Sequence, residues 1–147
     1  HYYHYIGNDF AGAYTHFFDR WGVPDTTNAA AKDNDHVNEG TEVFLPIDPN
    51  TFTAHSAYYT GIPYTVSFTK TGTGADARYS NFAVTFTADD IKQYFTDPGA
   101  GVVLGNAPIF DPATDPNKQY KFEEAIKLFR FYYTTGTRAV IDTYIRQ

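Results

Sequence analysis

In Tyr64-Thr65-Val66-Ser67-Phe68-Thr69-Lys70 an apolar residue falls at every second position, and Asn81 to Thr87 repeats the pattern with Phe82, Val84 and Phe86 on one face. A period of two marks a strand with one face on a core and the other in water, because successive side chains leave opposite sides of the pleat. Thr71-Gly72-Thr73-Gly74-Ala75-Asp76 between them is turn chemistry, so the two segments read as an antiparallel hairpin. The same period runs from Asp9 to Trp21, with Phe10, Gly12, Tyr14, His16 and Phe18 on one face and Ala11, Ala13, Thr15, Phe17 and Asp19 on the other. Gly12 inside it signals a bend, a bulge or the close approach of another backbone.

Two further strands are expected over Thr41 to Ile47 and Thr51 to Tyr59, divided by the turn Asp48-Pro49-Asn50. A terminal hairpin runs from Phe129-Arg130-Phe131-Tyr132-Tyr133 through Thr134-Thr135-Gly136 to Arg138–Arg146. Trp21 to Asn38 and Asp97 to Asn117 are rich in turn formers and lack a period, which predicts two long loops. Thr87 before Ala88-Asp89-Asp90 offers a hydroxyl cap and early carboxylates, so a short helix is expected from Ala88 to Phe95. Phe122 to Lys127 fits a helix face and a strand equally well. The chain therefore reads as one all-β domain over residues 1–147, an antiparallel β-barrel or sandwich of about eight strands with one short helix.

Composition narrows the function. A net charge of −6 with 11 basic residues among 147 argues against nucleic acid, whose binding rests on neutralising phosphates. No apolar run approaches the ~18 residues of a spanning helix, so direct membrane insertion by this segment is not expected. Zero Cys removes disulfides, thiolate nucleophiles and thiolate-bound zinc. With zero Met and His1 as first residue, the expectation is the C-terminal part of a longer secreted precursor that carries an upstream signal and a lipidated cysteine.

Catalytic and metal constellations are weak. His1 and His4 sit on an aromatic chain end, and Asp33, Asp35 and Glu39 miss the calcium-loop spacing, which here would fall on Val37, Asn38 and Phe44. Asp89 and Asp90 diverge by ~100° on a helix and serve as caps rather than as an acid/base pair. Ser56 follows His55 without the Gly-x-Ser-x-Gly turn that exposes a nucleophile. No catalytic residue, metal site or cofactor is assigned, and the protein is expected not to be an enzyme.

The outstanding feature is aromatic: 18% of the chain, including 13 Tyr and one Trp. Adjacent rings on a strand face opposite sides, so one of each pair points away from the core. Exposed Tyr and Trp make flat platforms for sugar rings, with Asp and Asn bonding the hydroxyls. This puts a ligand-binding face on Trp21, Asp25, Asn28 and Asp33, together with Tyr58 and Tyr59. The competing assignment for these rings is cover for a thin core or a domain interface.

Ile6-Gly7-Asn8-Asp9-Phe10-Ala11-Gly12-Ala13-Tyr14 resembles the opening strand of a C-terminal domain of Bacteroidota outer-membrane surface lipoproteins. The closing stretch, Ile109-Phe110-Asp111-Pro112, Leu128-Phe129-Arg130-Phe131-Tyr132-Tyr133 and Gly136-Thr137-Arg138 to Gln147, is similar to that domain's final hairpin. The resemblance implies a lipocalin-like barrel and a lipid anchor outside this chain, on the extracellular face of the outer membrane. It also implies association with SusC/SusD-type glycan importers. Its partners would be a glycan ligand, or else partner lipoproteins or the importer in a purely structural or assembly role.

Overall fold

The computed structural model describes residues 7–57, 61–94, 103–104, 118–127, 129–135 and 137–147. The chain is an antiparallel β-barrel. Its strands are β1 (Gly12–Trp21), β2 (Lys32–Asp48), β3 (Thr51–His55), β4 (Pro63–Thr71), β5 (Arg78–Thr85), β6 (Val103–Leu104), β7 (Phe129–Thr134) and β8 (Ala139–Arg146), with short helices α1 (Ala88–Tyr94) and α2 (Phe122–Ala125). They form one eight-stranded sheet in the order β5-β4-β3-β2-β1-β8-β7-β6.

Contacts across the interior show that this sheet curls back on itself. Phe82 of β5 lies near one end of the sheet order and Phe129 of β7 near the other, yet their ring centroids are 5.5 Å apart. The seam beside β5 is partly closed by Tyr120, which exchanges two 2.8 Å backbone hydrogen bonds with Tyr79. Phe10 plugs one end of the barrel, packing edge-on against Phe68, Tyr79 and Phe129. Asn8 fixes that plug: its Oδ1 accepts from the Phe10 N–H, and its Nδ2 donates to the carbonyls of Asp48 and Thr51 at the β2–β3 turn.

The alternating faces fall as the sequence indicates. Tyr64, Val66 and Phe68 of β4 and Phe82 and Val84 of β5 are buried in the core. The β4–β5 and β7–β8 hairpins form. Tyr133 is fully buried while its neighbour Tyr132 lies on the outer face. Gly12 has φ +141°, and a Cβ there would sit 3.1 Å from Nη2 of Arg146, so the close approach comes from a guanidinium. The Asp90 N–H donates to Thr87 Oγ1, capping α1. Phe122 to Lys127 resolves into the turn of helix α2 and a following turn.

Three expectations are corrected. The loop predicted from Trp21 to Asn38 gives way at Lys32 to β2, a strand of 17 residues that pairs with β1 from Lys32 to Phe44. Its sequence hides this because it pairs with β3 only through Leu45, Pro46 and Asp48, leaving most of it solvated. His36 (φ 46°) and Gly40 (φ 91°) accompany register shifts that break the period of two. Strand β3 ends at His55 instead of running to Tyr59. Val103–Leu104, expected within a loop, pairs with Tyr133 and Thr134.

Candidate functional site

The expected platform on Trp21 is not open. Trp21 points to the outer face of β1, but only 6% of it is exposed. It packs with Ala139, Ile141 and Tyr132, and the Lys32 ammonium lies 4.9 Å above its ring. That ammonium is held by Asp19 and Asp35, each at 2.9 Å. The extension of β2 back to Lys32 is what delivers this cover. Asp25 is exposed and accepts from the Thr27 N–H and hydroxyl, which lower its pKa. Asp33 is exposed in a two-bond pair with Arg20, and exposed Asn28 precedes the turn of 3-10 helix at Ala29–Ala31. Tyr58 and Tyr59 lie outside the described residues.

Two other sites emerge from the fold. At the barrel end plugged by Phe10, a cleft of about 500 Å³ opens between the β4–β5 turn and α2. Its walls include Asp9, Lys70, Tyr79, Phe122 and Glu123. Asp9 Oδ2 receives the Lys70 ammonium at 2.8 Å and the Tyr79 hydroxyl at 2.5 Å. Partial burial pushes the Asp9 carboxyl up, but the bonds from Lys70 and Tyr79 outweigh it and hold the group below the ordinary carboxylate range. Burial, then the bond to Asp9, pushes the Tyr79 hydroxyl well up. Phe122 is half-buried, stacked on Phe10 at 5.7 Å with 12° between the rings. The cleft thus places an aromatic ring beside an acid, an ammonium and a hydroxyl.

The second site lies where β2 leaves β3. Tyr14, His16 and Phe18 share one face of β1, and Val140, Asp142 and Tyr144 share one face of β8. The strand pairing sets His16 opposite Tyr144 and Phe18 opposite Asp142, which brings the His16 and Asp142 side chains together diagonally. Asp142 is fully buried; its Oδ1 accepts from His16 Nε2 at 2.8 Å and the Ala57 N–H at 3.1 Å, and its Oδ2 from the Tyr64 hydroxyl at 3.1 Å. Tyr64 and Tyr144 share a 2.5 Å hydroxyl contact, and Tyr144 donates to the His55 carbonyl at 2.8 Å. Burial first, and the Asp142 charge second, raise both hydroxyls well above the usual tyrosine value. Ser56 Oγ lies 2.5 Å from the Tyr133 hydroxyl.

This network borders a cavity of about 160 Å³ lined by His16, Glu39, Thr41, Glu42, His55 and Ser56 among others. Glu42 Oε1 accepts from both Nδ1 and the backbone N–H of His55, at 2.8 and 3.2 Å. Among the described residues no group of three or more His, Asp or Glu is arranged to hold a metal ion. Neither site was singled out from sequence, although the placing of His16 on one face with Phe10, Tyr14 and Phe18 was readable. Their meeting depends on β1 lying beside β8. No family model, curated protein or solved structure matches this chain.

Proposed function

We propose that this protein is a non-catalytic extracellular module that helps capture glycans at a cell surface, with a sugar seated in the cleft of Asp9, Lys70, Tyr79, Phe122 and Glu123. The observation that carries the reading is the half-buried Phe122 ring beside the Asp9–Lys70 ion pair in one concave space. A sugar presents an apolar C–H face and a rim of hydroxyls. An aromatic ring suits the first, and paired acceptors and donors suit the second. The volume lies within the range of small-molecule sites, about 300–1,000 Å³. An anchored position on the outer face of the outer membrane rests on the resemblance of the two chain ends alone.

The assembly alternative has its own support. Val43, Leu45 and Ile47 of β2 are exposed at 46%, 53% and 47%, an apolar row on the outer face of the barrel. A surface-only module would bury that row against a partner lipoprotein or an importer.

Calorimetric titration of the domain with a panel of soluble oligosaccharides tests the proposal. Binding is expected for at least one glycan, weakened about tenfold by Phe122→Ala, as loss of a stacking contact of ~1.4 kcal/mol requires. The recovered glycan should be of unchanged length, in keeping with a non-catalytic role. No heat with any glycan, together with co-purification with an importer that Leu45→Lys abolishes, would establish the assembly role instead.

A further inference from the structure

The charges around the Asp9–Lys70 cleft decide which sugars can enter it. Two carboxylates, Asp9 and Glu123, and one ammonium, Lys70, stand on its walls, and no other Lys or Arg is among the described lining residues. The ammonium is already committed. It lies 2.8 Å from Asp9 Oδ2, and the Lys70 and Asp9 side chains are 33% and 38% exposed, so the pair meets the solvent as a neutral unit. Partial burial works against the Asp9 charge, but the bonds from Lys70 and Tyr79 prevail and keep the group ionised at neutral pH. The β4–β5 turn beside the cleft adds charges of both signs, exposed Asp76 and half-buried Arg78, whose Nη1 is held by the carbonyls of Ala75 and Ala77.

Glu123 is the charge left over. It is exposed on α2 next to Phe122, and among the described residues no Lys or Arg forms an ion pair with it. Its carboxylate is close enough to act on the cleft: burial first, then the bond to Asp9 and its charge, and then the Glu123 charge raise the Tyr79 hydroxyl. A neutral sugar meets these walls on favourable terms, because its hydroxyls both donate and accept and leave the charge balance as it was. A uronate does not. To reach Lys70 its carboxylate must share the ammonium with Asp9, and over Phe122 it comes beside Glu123. Either approach sets like charges close together, on top of the cost of desolvating them. The chain's net charge of −6 opposes an anionic glycan at longer range as well.

We propose, resting on the glycan reading above, that the cleft selects neutral sugar residues over uronic acids, with Glu123 as the specificity-determining side chain and Asp9 denying the acid a free cation at Lys70. Placing like charge against a competitor of the same shape is how such a site separates two ligands that stack equally well.

Matched pairs of tetrasaccharides test this: tetramers of glucose, mannose and galactose, each beside the tetramer of the same linkage in which every exocyclic hydroxymethyl is a carboxylate. Skeleton and linkage are constant within a pair, so charge alone changes. Affinities are read by calorimetry at low and at high salt. At least one neutral tetramer is expected to bind, and its uronate counterpart about tenfold more weakly or worse. Added salt should narrow that gap, because screening weakens the repulsion. Glu123→Gln should narrow it several-fold, and Glu123→Lys should bring the uronate level with the neutral tetramer or ahead of it; both changes fall on an exposed side chain outside the core. A uronate that binds the wild-type protein as tightly as its neutral counterpart, or more tightly, would overturn the selectivity while leaving glycan capture standing. So would a wild-type affinity ratio in both Glu123 variants. No heat with any tetramer would overturn glycan capture itself, and the selectivity with it.

Discussion

Replacing Asp142 separates charge from hydrogen-bond geometry at the centre of the barrel. The carboxylate accepts three hydrogen bonds with no exposure to water, from His16, the Ala57 backbone and Tyr64. Asp142→Ala leaves the buried His16 ring and the Ala57 N–H without their acceptor and takes from Tyr64 its bond to the carboxylate. Removing one partner of such a buried system costs about 3–5 kcal/mol. Asp142→Asn behaves differently. Its amide oxygen keeps the His16 and Ala57 bonds and its NH₂ turns toward Tyr64. The two hydroxyl protons of Tyr64 and Tyr144 are stretched over three contacts, to Asp142, to each other and to the His55 carbonyl. A donor at position 142 lets both point away from it, so that each contact is served. The cost is then mainly the charge assistance lost from two bonds, about 2 kcal/mol in all. Urea unfolding followed by circular dichroism at neutral pH reads the difference as two midpoints with a common slope. Equal losses for Asn and Ala, or losses under ~1 kcal/mol for both, would refute the network as described.

Alkaline pH should unfold the protein. Tyr14 is pushed up to about 12, first by burial, and burial likewise raises Tyr64 and Tyr144, whereas all three ionise near 10 once unfolded. The unfolded chain then binds fewer protons, so stability is complete below pH ~10 and falls as pH rises toward the folded values. Tyrosinate absorbance should appear together with loss of circular dichroism; full ionisation of a still-folded protein would contradict this. Trp21→Ala should cost about 3 kcal/mol, as for other buried aromatics, and native Trp21 fluorescence should be blue-shifted and resist quenching by acrylamide. Emission at the wavelength of a water-exposed indole would show the ring to be open after all. Gly12→Ala should destabilise by about 1–3 kcal/mol through its backbone angle and the Arg146 contact, and an unchanged urea midpoint would refute that strain.

Where a strand buries one face along its whole length, its sequence declares it. Tyr64 to Lys70, Asn81 to Thr85 and Phe129 to Tyr133 are such cases, as is the inner face of β1. Lys32 to Gly40 did not declare itself, because it is half an edge, exposed on most sides and bulged at His36 and Gly40. That one omission reversed the interpretation of Trp21, since the hidden strand carries the lysine that covers its ring. Phe122 was ambiguous because a single helical turn and a short strand share the same spacing. The cleft unites Asp9, Lys70, Tyr79 and Phe122 from four separate places in the chain, and the cavity unites His16, Glu42, His55 and Asp142. Local pattern carries no information on such meetings; they follow from strand order.

Glycan capture at the Asp9–Lys70–Tyr79–Phe122 cleft is tested most directly by mapping backbone amide shifts of the labelled domain as an oligosaccharide identified by calorimetry is added. The account predicts saturable shifts clustered at Asp9, Lys70, Gly74 to Tyr79 and Phe122 to Glu123, with the loop from Gly22 to Asn28 undisturbed. Shifts gathered on that loop beside Trp21, or no saturable shift with any glycan of the panel, would contradict it.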